Sequence, residues 1–439
     1  MNVRNYFTSF GGISDRGAAG PEEFQRQKAK LVVALAGLDA HVLGLMEVQN
    51  REETVHDLLA ALNAAVEDRY AVVPDPPGGY PAAGAAADHI RCLLLYRPSR
   101  LGLAGGCRMD KDAAWYSTGA TPLPLRFPLA QTFEELESGE RFTLCVNHWK
   151  SKSSSGASGA DQDQNDGQSA YNDLRRRQAA RLNTWLQELS AESGEPDQII
   201  LGDLNSYGEE DPLDVLRAGG WQDQGQRFHG MNDHSYLING RRGRLDHLFA
   251  TPSMAAQITG QEHWHINADE PEFYDYRLSN KSPGQKLLNV GTAFRSSDHD
   301  PVLAGVTLSI PEMDYAAWRQ TQDWKGKPDI GVEDDPDGDG LANLAEFAMN
   351  LDPAVASPDG MIRGVLAQDQ CLFEFRRHRQ AKGVILIPEW SSDLLNWHEM
   401  PGAGEVDVLD LKTERVRVRM PFQGQSRVML RLRIVLIAP

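Results

Sequence analysis

The stretch DQIILGDLN, residues 197–205, predicts a buried β-strand that ends in polar residues. Its apolar centre of Ile and Leu is bounded by polar positions, a pattern typical of a buried strand. Asp203 and Asn205 come at the end of the run. Polar side chains at the margin of such a strand lie where a rigid scaffold presents groups to a cleft. The stretch therefore predicts a sheet and a site at its edge.

Similar apolar runs alternate with amphipathic helices from the start of the chain to about Leu308. The further strand candidates are HVLGLMEV, HIRCLLLYR, RFTLCVNHW, RLDHLFAT and PVLAGVTL. The helix candidates are EEFQRQKAKLVVALAGL, EETVHDLLAALNAAV, NDLRRRQAARLNTWLQEL and DPLDVLRAGG. This alternation predicts an α/β fold with helices packed on sheet. The polar segment SKSSSGASGADQDQNDGQSA, residues 151–170, predicts a long mobile loop beside the site.

A chain of 439 residues predicts two or three domains. We predict a large α/β domain over residues 1–309, a helical linker over 310–358 and a small all-β module over 359–439. The acidic balance, 44 Lys and Arg against 62 Asp and Glu, argues against holding nucleic acid by bulk charge. A phosphate-bearing substrate would therefore meet local basic groups or metal ions.

Cysteine spacing and hydropathy exclude several other classes. The four cysteines are widely spread, which makes a zinc site or a disulfide scaffold unexpected, although a single Cys92–Cys107 bridge stays open. No apolar run approaches the roughly 18 residues that a membrane span needs. Met1 leads directly into NVRNYF, a start without the pattern of a signal peptide.

Polar residues at the margins of the predicted strands form a chemically coherent set. Each alone has a simple structural explanation, but together they indicate a site: Glu47, His148, Asp203, Asn205, Asp246, Asp298 and His299. Mg²⁺ prefers one or two carboxylates, which Glu47 and either Asp298 or Asp203 would supply. A histidine can deprotonate water when a carboxylate orients its ring, and His299 with Asp246 fits that pairing.

Asp203 and Asn205 complete the predicted chemistry. Two positions apart on an extended segment, they would face the same way and hold the nucleophile and a developing oxyanion. The whole set predicts metal-assisted hydrolysis of a phosphodiester.

The ordered motifs NVRN, GLMEVQN, VNHWKSK, GDLNSYGEEDPLDVL, YLINGRRGRLDHLFAT and SSDHDPV give a family resemblance from Asn2 to about Leu308. The sequence resembles the endonuclease/exonuclease/phosphatase superfamily, and within it the secreted or surface bacterial nucleases related to deoxyribonuclease I. The resemblance implies a four-layered α/β sandwich of two packed mixed β-sheets flanked by helices. It also implies a catalytic Mg²⁺ or Mn²⁺ ion.

The resemblance also implies roles for individual residues. Asn2, Glu47 and Asp298 would bind the metal. His148 would be a general acid or a phosphate-stabilising group, with Asp88 as its acidic partner. Asp203 and Asn205 would orient the attacking water and contact the phosphate, and His299 would be the base, oriented by Asp246. Lys150, Lys152 and Arg177 would contact backbone phosphates. Family members carry an apolar half-strand before the NVRN position, where this chain has Met1, so we expect Asn2 to be weakly anchored.

A second acidic motif, DPDGDGLANLAE at residues 335–346, matches the calcium-loop pattern D-x-[DN]-x-[DN]-G-x5-E. The ligands it predicts for Ca²⁺ are Asp335, Asp337, Asp339, the Leu341 carbonyl and a bidentate Glu346, with Gly340 at the turn. LANLAEFAMNL would form the exiting helix. The motif resembles the single calcium loops of dockerin-like and thrombospondin type 3-like linkers. We interpret it as a structural clip, which favours an extracellular or periplasmic location, where calcium is abundant.

Three functions compete on these observations. The first is an extracellular-type, divalent-metal-dependent nuclease that acts on DNA, with RNA as a candidate second substrate. The second is a sphingomyelinase-like or inositol-phosphate phosphodiesterase or phosphatase on the same fold, disfavoured by NHWKSK, by GEEDPL and by the lack of an apolar hairpin that would enter a membrane. The third is a calcium-stabilised surface-binding protein with a degenerate site, disfavoured because every expected catalytic position is present.

Overall fold

The structure is a computed structural model in which the chain forms two compact units, Met1–Leu308 and Ser309–Pro439. It describes residues 1–12, 16–84, 86–117, 125–288, 290–308, 312–326, 331–357, 362–367, 370–402, 404–409, 412–421 and 427–437. The predicted domain limits at 309/310 and 358/359 lie outside the described residues. The three-part division of the chain stays a prediction.

The first unit alternates strands with helices, as the sequence predicts. Its strands are β1 Asn2–Tyr6, β2 Val42–Gln49, β3 Ala71–Val72, β4 Ile90–Tyr96, β5 Leu101–Leu103, β6 Arg108–Met109, β7 Leu129–Glu135, β8 Arg141–His148, β9 Gln198–Asp203, β10 Gln222–Asp223, β11 Tyr236–Ile238, β12 Arg241–Gly243, β13 Asp246–Ala250, β14 Ile258–His263 and β15 Val302–Val306. Its helices are α1 Pro21–Leu38, α2 Glu52–Asn63, α3 Asn172–Ser193, α4 Asp211–Ala218, α5 Gln224–His229 and α6 Pro252–Gln257.

Two larger sheets form the frame of this unit. The first has the order β1-β2-β4-β3, and the second has the order β10-β13-β9-β8-β7-β5, with β6 also paired to β7. Both sheets are mixed, because β1 runs parallel to β2 and β8 runs parallel to β9 while their other pairs are antiparallel. Strands β14 and β15 pair separately, as do β11 and β12.

Alternating side chains place the two sheets against each other and the helices outside. Along β4, Cys92 and Leu94 share a core cluster with Val146 and Leu201 of the second sheet. Leu93 and Leu95, on the opposite face of the same strand, cluster with apolar residues of α1 and α2. Successive residues of a strand point to opposite faces, so one strand serves both layers. On the second sheet, Cys145 and Ile200 face a cluster with α3 and α4.

The sheets approach closely at Gly44 in β2. A side-chain carbon there would lie 2.9 Å from Leu201 Cδ2 and 3.2 Å from Val146 Cγ2. Only glycine fits at this spacing without moving both neighbours. The close approach brings the ends of β2, β8 and β9 near one another.

Two expectations about the first unit need correction. The segment 151–170 is anchored rather than a free mobile loop, because its residue Asp161 is buried and its carboxylate accepts a hydrogen bond from the Leu174 N–H of α3. Lys152 Nζ also donates to the Gln168 carbonyl oxygen, across the same segment. The Cys92–Cys107 bridge does not form, since both residues are free, buried thiols.

The second unit is rich in β-structure, in agreement with the prediction for the C-terminal region. Its elements are α7 Tyr315–Thr321, α8 Asn343–Met349, β16 Ile362–Ala367, β17 Gln370–His378, β18 Val384–Ser391, β19 His398–Glu399, β20 Glu405–Val408, β21 Thr413–Pro421 and β22 Met429–Leu436. They form one sheet of order β16-β17-β21-β20 and another of order β19-β18-β22. Among the described residues, no helix is long and apolar enough to cross a membrane.

Candidate active site

The register of the second sheet brings three of the predicted site residues side by side. Asp203, the last residue of β9, is paired with His148 of β8 on one side and with Asp246 of β13 on the other. Directly paired residues point to the same face and hold their Cβ atoms about 4.5–5.5 Å apart. The preceding Gly202 has φ +140°, and a side chain there would collide with the Asn147 carbonyl oxygen. Glycine at this position therefore permits the close pairing of β8 with β9.

The first sheet adds Asn2 and Glu47 to this group. Between Leu45 and Val48 the pairing of β2 with β4 shifts, and Glu47 itself has φ 65°. A bulge and a left-handed non-glycine residue redirect a side chain and recur at functional sites. The Glu47 carboxylate accepts hydrogen bonds from Asn2 Nδ2 at 3.0 Å and from the Asn5 N–H at 2.9 Å.

Asn2 is firmly anchored, contrary to the expectation drawn from the short start of the chain. Its side chain is buried, with 1% of the residue exposed. Its amide donates to Glu47 and, at 3.3 Å, to Asp203 Oδ2, while its Oδ1 accepts from the Arg4 N–H at 2.8 Å. These bonds fix Asn2 beside Glu47 of the first sheet and Asp203 of the second.

His299 and Asp246 form a buried pair of the predicted kind. His299 Nδ1 lies 2.7 Å from Asp246 Oδ2, so the carboxylate orients the ring. His299 Nε2 faces Asp203, with 3.9 Å to Asp203 Oδ2. A histidine held in this way presents one ring nitrogen to the reacting groups and keeps the other bound to a carboxylate.

Burial and neighbouring charges shift the pKa values of His299, Asp246 and Asp203. Burial disfavours the charged imidazolium, but the negative charges of Asp246 and Asp203 outweigh it and raise the pKa of His299 well above its usual value. Burial acts to raise the pKa of Asp246, yet the His299 charge and hydrogen bond keep that pKa below its usual value. Burial, together with the charges of Asp246 and Glu47, raises the pKa of Asp203 to about 7 against the opposing effect of His299.

His148 lies on the other side of Asp203. Its Nε2 is 3.5 Å from Asp203 Oδ2 and 4.0 Å from Glu47 Oε1. Burial, followed by the charges of Arg126 and His299, holds the pKa of His148 well below its usual value. Its Nδ1 is buried and has no hydrogen-bond partner in the described part of the chain.

The predicted pairing of His148 with Asp88 is wrong in this structure. Asp88 instead forms ion pairs with Arg126 at 3.6 Å and with Arg16 at 3.4 Å. The Asp88 carboxylate, which the resemblance assigned to His148, therefore pairs with the two arginines instead.

Asn205 lies beside Asp203 as predicted, but the backbone conformation that places it there differs from the prediction. Its φ of 48° is left-handed, so the segment from Asp203 is a turn and not an extended stretch. The Asn205 N–H donates to Asp203 Oδ1 at 3.0 Å, and its side-chain amide donates to the Trp149 carbonyl oxygen at 3.1 Å. Asp203 and Asn205 are brought together by this turn, a geometry that Asn tolerates better than most residues.

Asp298 lies at the exposed margin of the group, with 31% of its side chain exposed. Its Oδ2 is 3.6 Å from Arg4 Nε, and its Oδ1 accepts a 3.4 Å hydrogen bond from Ser297 Oγ. Its negative charge, after burial, raises the pKa of Glu47. A carboxylate whose ionisation is disfavoured by burial and by a nearby negative charge suits a divalent cation, which oxygen ligands bind best.

A comparison with known protein families identifies the family to which this chain belongs. The family described as Endonuclease/Exonuclease/phosphatase family matches residues 2–299, which include every residue of the group around Asp203. The chain belongs to this family. It is accordingly a phosphoester hydrolase, of a family whose members typically use divalent metals.

Solved structures similar to this family member are distant from it in sequence. An endonuclease/exonuclease/phosphatase of Bacteroides vulgatus is 15% identical, with a TM-score of 0.40 over 65% of this chain and 92% of its own. A mannosyl-6-phosphatase of Bacteroides thetaiotaomicron is 15% identical, with a TM-score of 0.43 over 66% of this chain and 96% of its own. A humanized D. rerio TDP2 is 16% identical, with a TM-score of 0.41 over 70% and 97%. A comparison with curated protein sequences finds no match.

The three basic residues predicted to contact phosphate in this phosphoesterase differ in whether a carboxylate already pairs with them. Lys152 Nζ lies 2.5 and 2.6 Å from the two oxygens of Glu210. Arg177 donates to Asp173 Oδ2 at 3.1 Å within α3. Lys150, in contrast, lies 4.1 Å from the centre of the Tyr171 ring and pairs with no carboxylate among the described residues. Of the three, Lys150 has the charge available for a substrate.

Several residues that support the site were not singled out from the sequence. Ser235 Oγ donates to Asp246 Oδ2 at 2.7 Å, the same oxygen that faces His299. The Tyr236 ring lies against the His299 ring, with 4.7 Å between centroids. Asn267 Nδ2 donates to the His299 carbonyl oxygen at 2.7 Å. In the sequence, Tyr236 opens the motif YLINGRRGRLDHLFAT and Ser235 directly precedes it, which was the signal that could have found them.

The acidic loop in the second unit has the geometry of an ion site. Carboxylate oxygens of Asp335, Asp337 and Asp339 all lie within 4.8 Å of one another. Gly340 has φ +92°, the turn conformation that the loop needs. Glu346 is completely buried on α8, and neither of its carboxylate oxygens has a hydrogen-bond partner in the described residues. Burial, and then the charges of Asp337, Asp339 and Asp335, raise the pKa of Glu346 to about 8.

Proposed function

We propose that this chain is a divalent-metal-dependent phosphodiesterase that hydrolyses nucleic acid, DNA first and RNA as a candidate second substrate. The observation that carries the proposal is the His299–Asp246 pair, whose free ring nitrogen faces Asp203 beside His148. A preorganised acid–base group next to clustered carboxylates is what hydrolysis of a phosphodiester requires. The helices outside two facing sheets support the four-layered sandwich that the resemblance predicts.

The metal would be Mg²⁺ or Mn²⁺, held by Asn2, Glu47 and Asp298. The fit rests on the Glu47 carboxylate, whose pKa burial and then the Asp298 charge raise, and on Asn2, which lies directly beside Glu47. When bound, such an ion stabilises negative charge on the phosphate oxygens and offsets that of the carboxylates.

The chain's own residues supply the remaining roles. Asp246 orients His299, which in its deprotonated form takes the proton of the attacking water at Nε2. Asp203 and Asn205 position that water, and the neutral imidazole of His148 donates a hydrogen bond to a phosphate oxygen. The short distances around Asp203 support these roles.

Local basic groups support a nucleic-acid substrate despite the acidic chain. Arg4, Arg16 and Arg126 lie near the site, but each already pairs with a carboxylate, Asp298 or Asp88. Lys150, two residues after His148, carries a charge without a carboxylate partner among the described residues. Such groups contact the phosphate backbone without reading its sequence.

A lipid or inositol phosphodiesterase is the second candidate, and one observation favours it. The segment between β14 and β15 exposes the apolar side chains Phe273, Leu287, Leu288, Val290 and Phe294. Exposed apolar groups can mark a surface that meets a membrane or another protein. The sequence predicted no such feature.

We propose a second ion, Ca²⁺, in the loop of the second unit, with Asp335, Asp337, Asp339, the Leu341 carbonyl and Glu346 as ligands. The buried, unpartnered carboxylate of Glu346 supports it, because a charged group in that state needs a positive partner. A calcium clip supports an extracellular or periplasmic location, where weak calcium sites are filled. The presence of every expected catalytic residue, and not the calcium loop, favours an enzyme over a calcium-stabilised surface-binding protein with a degenerate site.

The substrate test compares three substrates under one metal panel. Purified protein is incubated with circular plasmid DNA, with RNA and with sphingomyelin vesicles, each with Mg²⁺ or Mn²⁺. We expect cleavage of DNA that exceeds hydrolysis of sphingomyelin, and its loss in the His299→Ala variant purified in parallel. Hydrolysis of sphingomyelin without cleavage of either nucleic acid would establish the second candidate instead.

A further inference from the structure

Three side chains outside the catalytic group bring metal-ligand atoms together. His234, His265 and Asp300 each offer one ligand atom, and these atoms all lie within 4.8 Å of one another. The two imidazole rings are stacked, with 4.2 Å between centroids and 13° between planes. Two histidines and a carboxylate form a ligand set suited to borderline transition metals such as zinc.

The Asp300 carboxylate is rigidly placed for this task. The residue is completely buried, and its Oδ1 accepts three backbone hydrogen bonds, from Ile266, Asn267 and Ala268, at 3.1, 2.7 and 3.0 Å. Its Oδ2 faces His265 Nδ1 at 2.9 Å. One oxygen therefore anchors the chain, and the other points to a histidine.

The His234 ring is oriented by a second carboxylate. Its Nε2 lies 3.2 Å from Asp269 Oδ2, and Arg242 holds Asp269 through bonds of 2.9 and 2.8 Å. Since the carboxylate can only accept, Nε2 donates, and a neutral His234 then carries its lone pair on Nδ1. Histidine ligands of metals commonly donate their other ring nitrogen to a carboxylate in this way.

We propose that His234, His265 and Asp300 bind a divalent transition-metal ion of the zinc class. The ion takes the place of the proton between His265 Nδ1 and Asp300 Oδ2, and the neutral ring then carries that proton on Nε2. His265 gives the ion access, because 42% of its side chain is exposed.

The site would act by positioning the catalytic pair. His234 precedes Ser235, which bonds Asp246, and Asp300 follows His299 directly. His265 lies two residues before Asn267, which bonds the His299 carbonyl oxygen. An ion shared by the three would tie together the three segments that hold the His299–Asp246 pair.

The test uses the full chain, stripped of metal and then kept in millimolar Mg²⁺ and Ca²⁺, so that oxygen-ligand sites are already filled. Zn²⁺ is titrated by calorimetry, and Co²⁺ is titrated by visible absorption, which reports nitrogen ligation. We expect one tight equivalent of either ion in the parent protein. His265→Ala and His234→Ala should each weaken this binding by at least about 100-fold, because even outer partners of a metal ligand are worth about 10- to 100-fold.

The matched control is His56→Ala, which removes a histidine that is 68% exposed on α2. Its Zn²⁺ and Co²⁺ titrations should match those of the parent, and circular dichroism should show all three variants folded. No tight equivalent in the parent protein would overturn the proposal. Tight binding retained by either His265→Ala or His234→Ala in folded protein would overturn it as well.

Discussion

Asp246 in the first unit and Glu346 in the second are both buried carboxylates, but their surroundings differ. Asp246 Oδ2 faces His299 Nδ1 and accepts from Ser235 Oγ, so the chain itself supplies a positive partner and a donor. Glu346 has three aspartates nearby and no hydrogen-bond partner among the described residues. The pKa of Asp246 falls below its usual value, whereas that of Glu346 rises to about 8.

A buried carboxylate can therefore have one of two roles, depending on whether the protein itself supplies its partner. A carboxylate that is paired inside the protein orients its partner whether or not an ion is present. A carboxylate left unpaired among like charges is costly unless a cation joins it. We therefore expect substitutions near Asp246 to affect activity most and substitutions at Glu346 to affect stability most.

The largest effect is expected for Asp246→Asn. The amide cannot hold a charged imidazole as the carboxylate does, so His299 loses its orientation and its electrostatic support. Cleavage of DNA should fall roughly 100- to 1,000-fold, within the range for loss of acid–base catalysis. Steady-state rates should be compared with those of Asp214→Asn, which changes an exposed aspartate on α4 and should cleave at the parent rate. Equal rates for the two variants would remove Asp246 from the mechanism.

Calcium removal should mainly change stability. At a concentration a few hundred times its Kd, an ion that binds only the folded state stabilises it by about 3 kcal/mol, or roughly 10 °C for a unit of this size. Scanning calorimetry with Ca²⁺ and with a chelator should show this difference in the parent protein. Glu346→Gln should abolish the difference, and Glu333→Gln, an exposed glutamate outside the ligand positions, should retain it. A calcium response retained by Glu346→Gln would reject the loop as the site.

A smaller loss of activity is expected for Ser235→Ala. The variant removes one hydrogen bond to the Asp246 carboxylate and leaves the His299 bond in place. The loss should be about 10-fold in kcat, the size of one hydrogen bond to a charged group. Thr184→Ala, an exposed hydroxyl on α3, is the control. A kcat unchanged in folded Ser235→Ala would mean that Asp246 needs no second partner.

The smallest effects are expected among the basic residues, and they should differ in kind. Lys150→Ala should raise KM for DNA about 5-fold and lower the slope of binding against salt by about one charge. Arg177→Ala should stay within about 2-fold of the parent, because Asp173 already pairs that guanidinium. Measurements of KM for DNA across a range of NaCl concentrations distinguish the Lys150→Ala variant from the Arg177→Ala variant. Equal salt dependence in the two variants would argue against a phosphate contact by Lys150.

The sequence predicted the frame of the first unit well because buried strands and amphipathic helices have distinct periodicities. The run at residues 197–205 became β9, and its neighbours became β8 and β13 in register with it. The pairing of His299 with Asp246 could be inferred because a base needs an orienting carboxylate. The distances around that pair depend on strand register, which one sequence does not contain.

The errors came where tertiary contacts decide a side chain's partner. Asp88 was assigned to His148, but two arginines, distant in sequence, take it. Lys152 stays a predicted phosphate contact, but its ion pair with Glu210 is a tertiary contact that the sequence did not reveal. Asn205 was expected on an extended segment, and its left-handed φ reflects a local hydrogen bond to Asp203 that periodicity does not reveal.

The measurement that tests the central claim most directly is the single-turnover rate of DNA cleavage by His299→Ala with saturating Mg²⁺. The exposed His56→Ala variant, purified in the same way, is the reference. We predict a loss of roughly 1,000-fold in the first variant and none in the second, with equal melting temperatures. A rate within about 3-fold of the reference, far below the 100-fold minimum for a lost catalytic base, would contradict the assignment of His299 as the base.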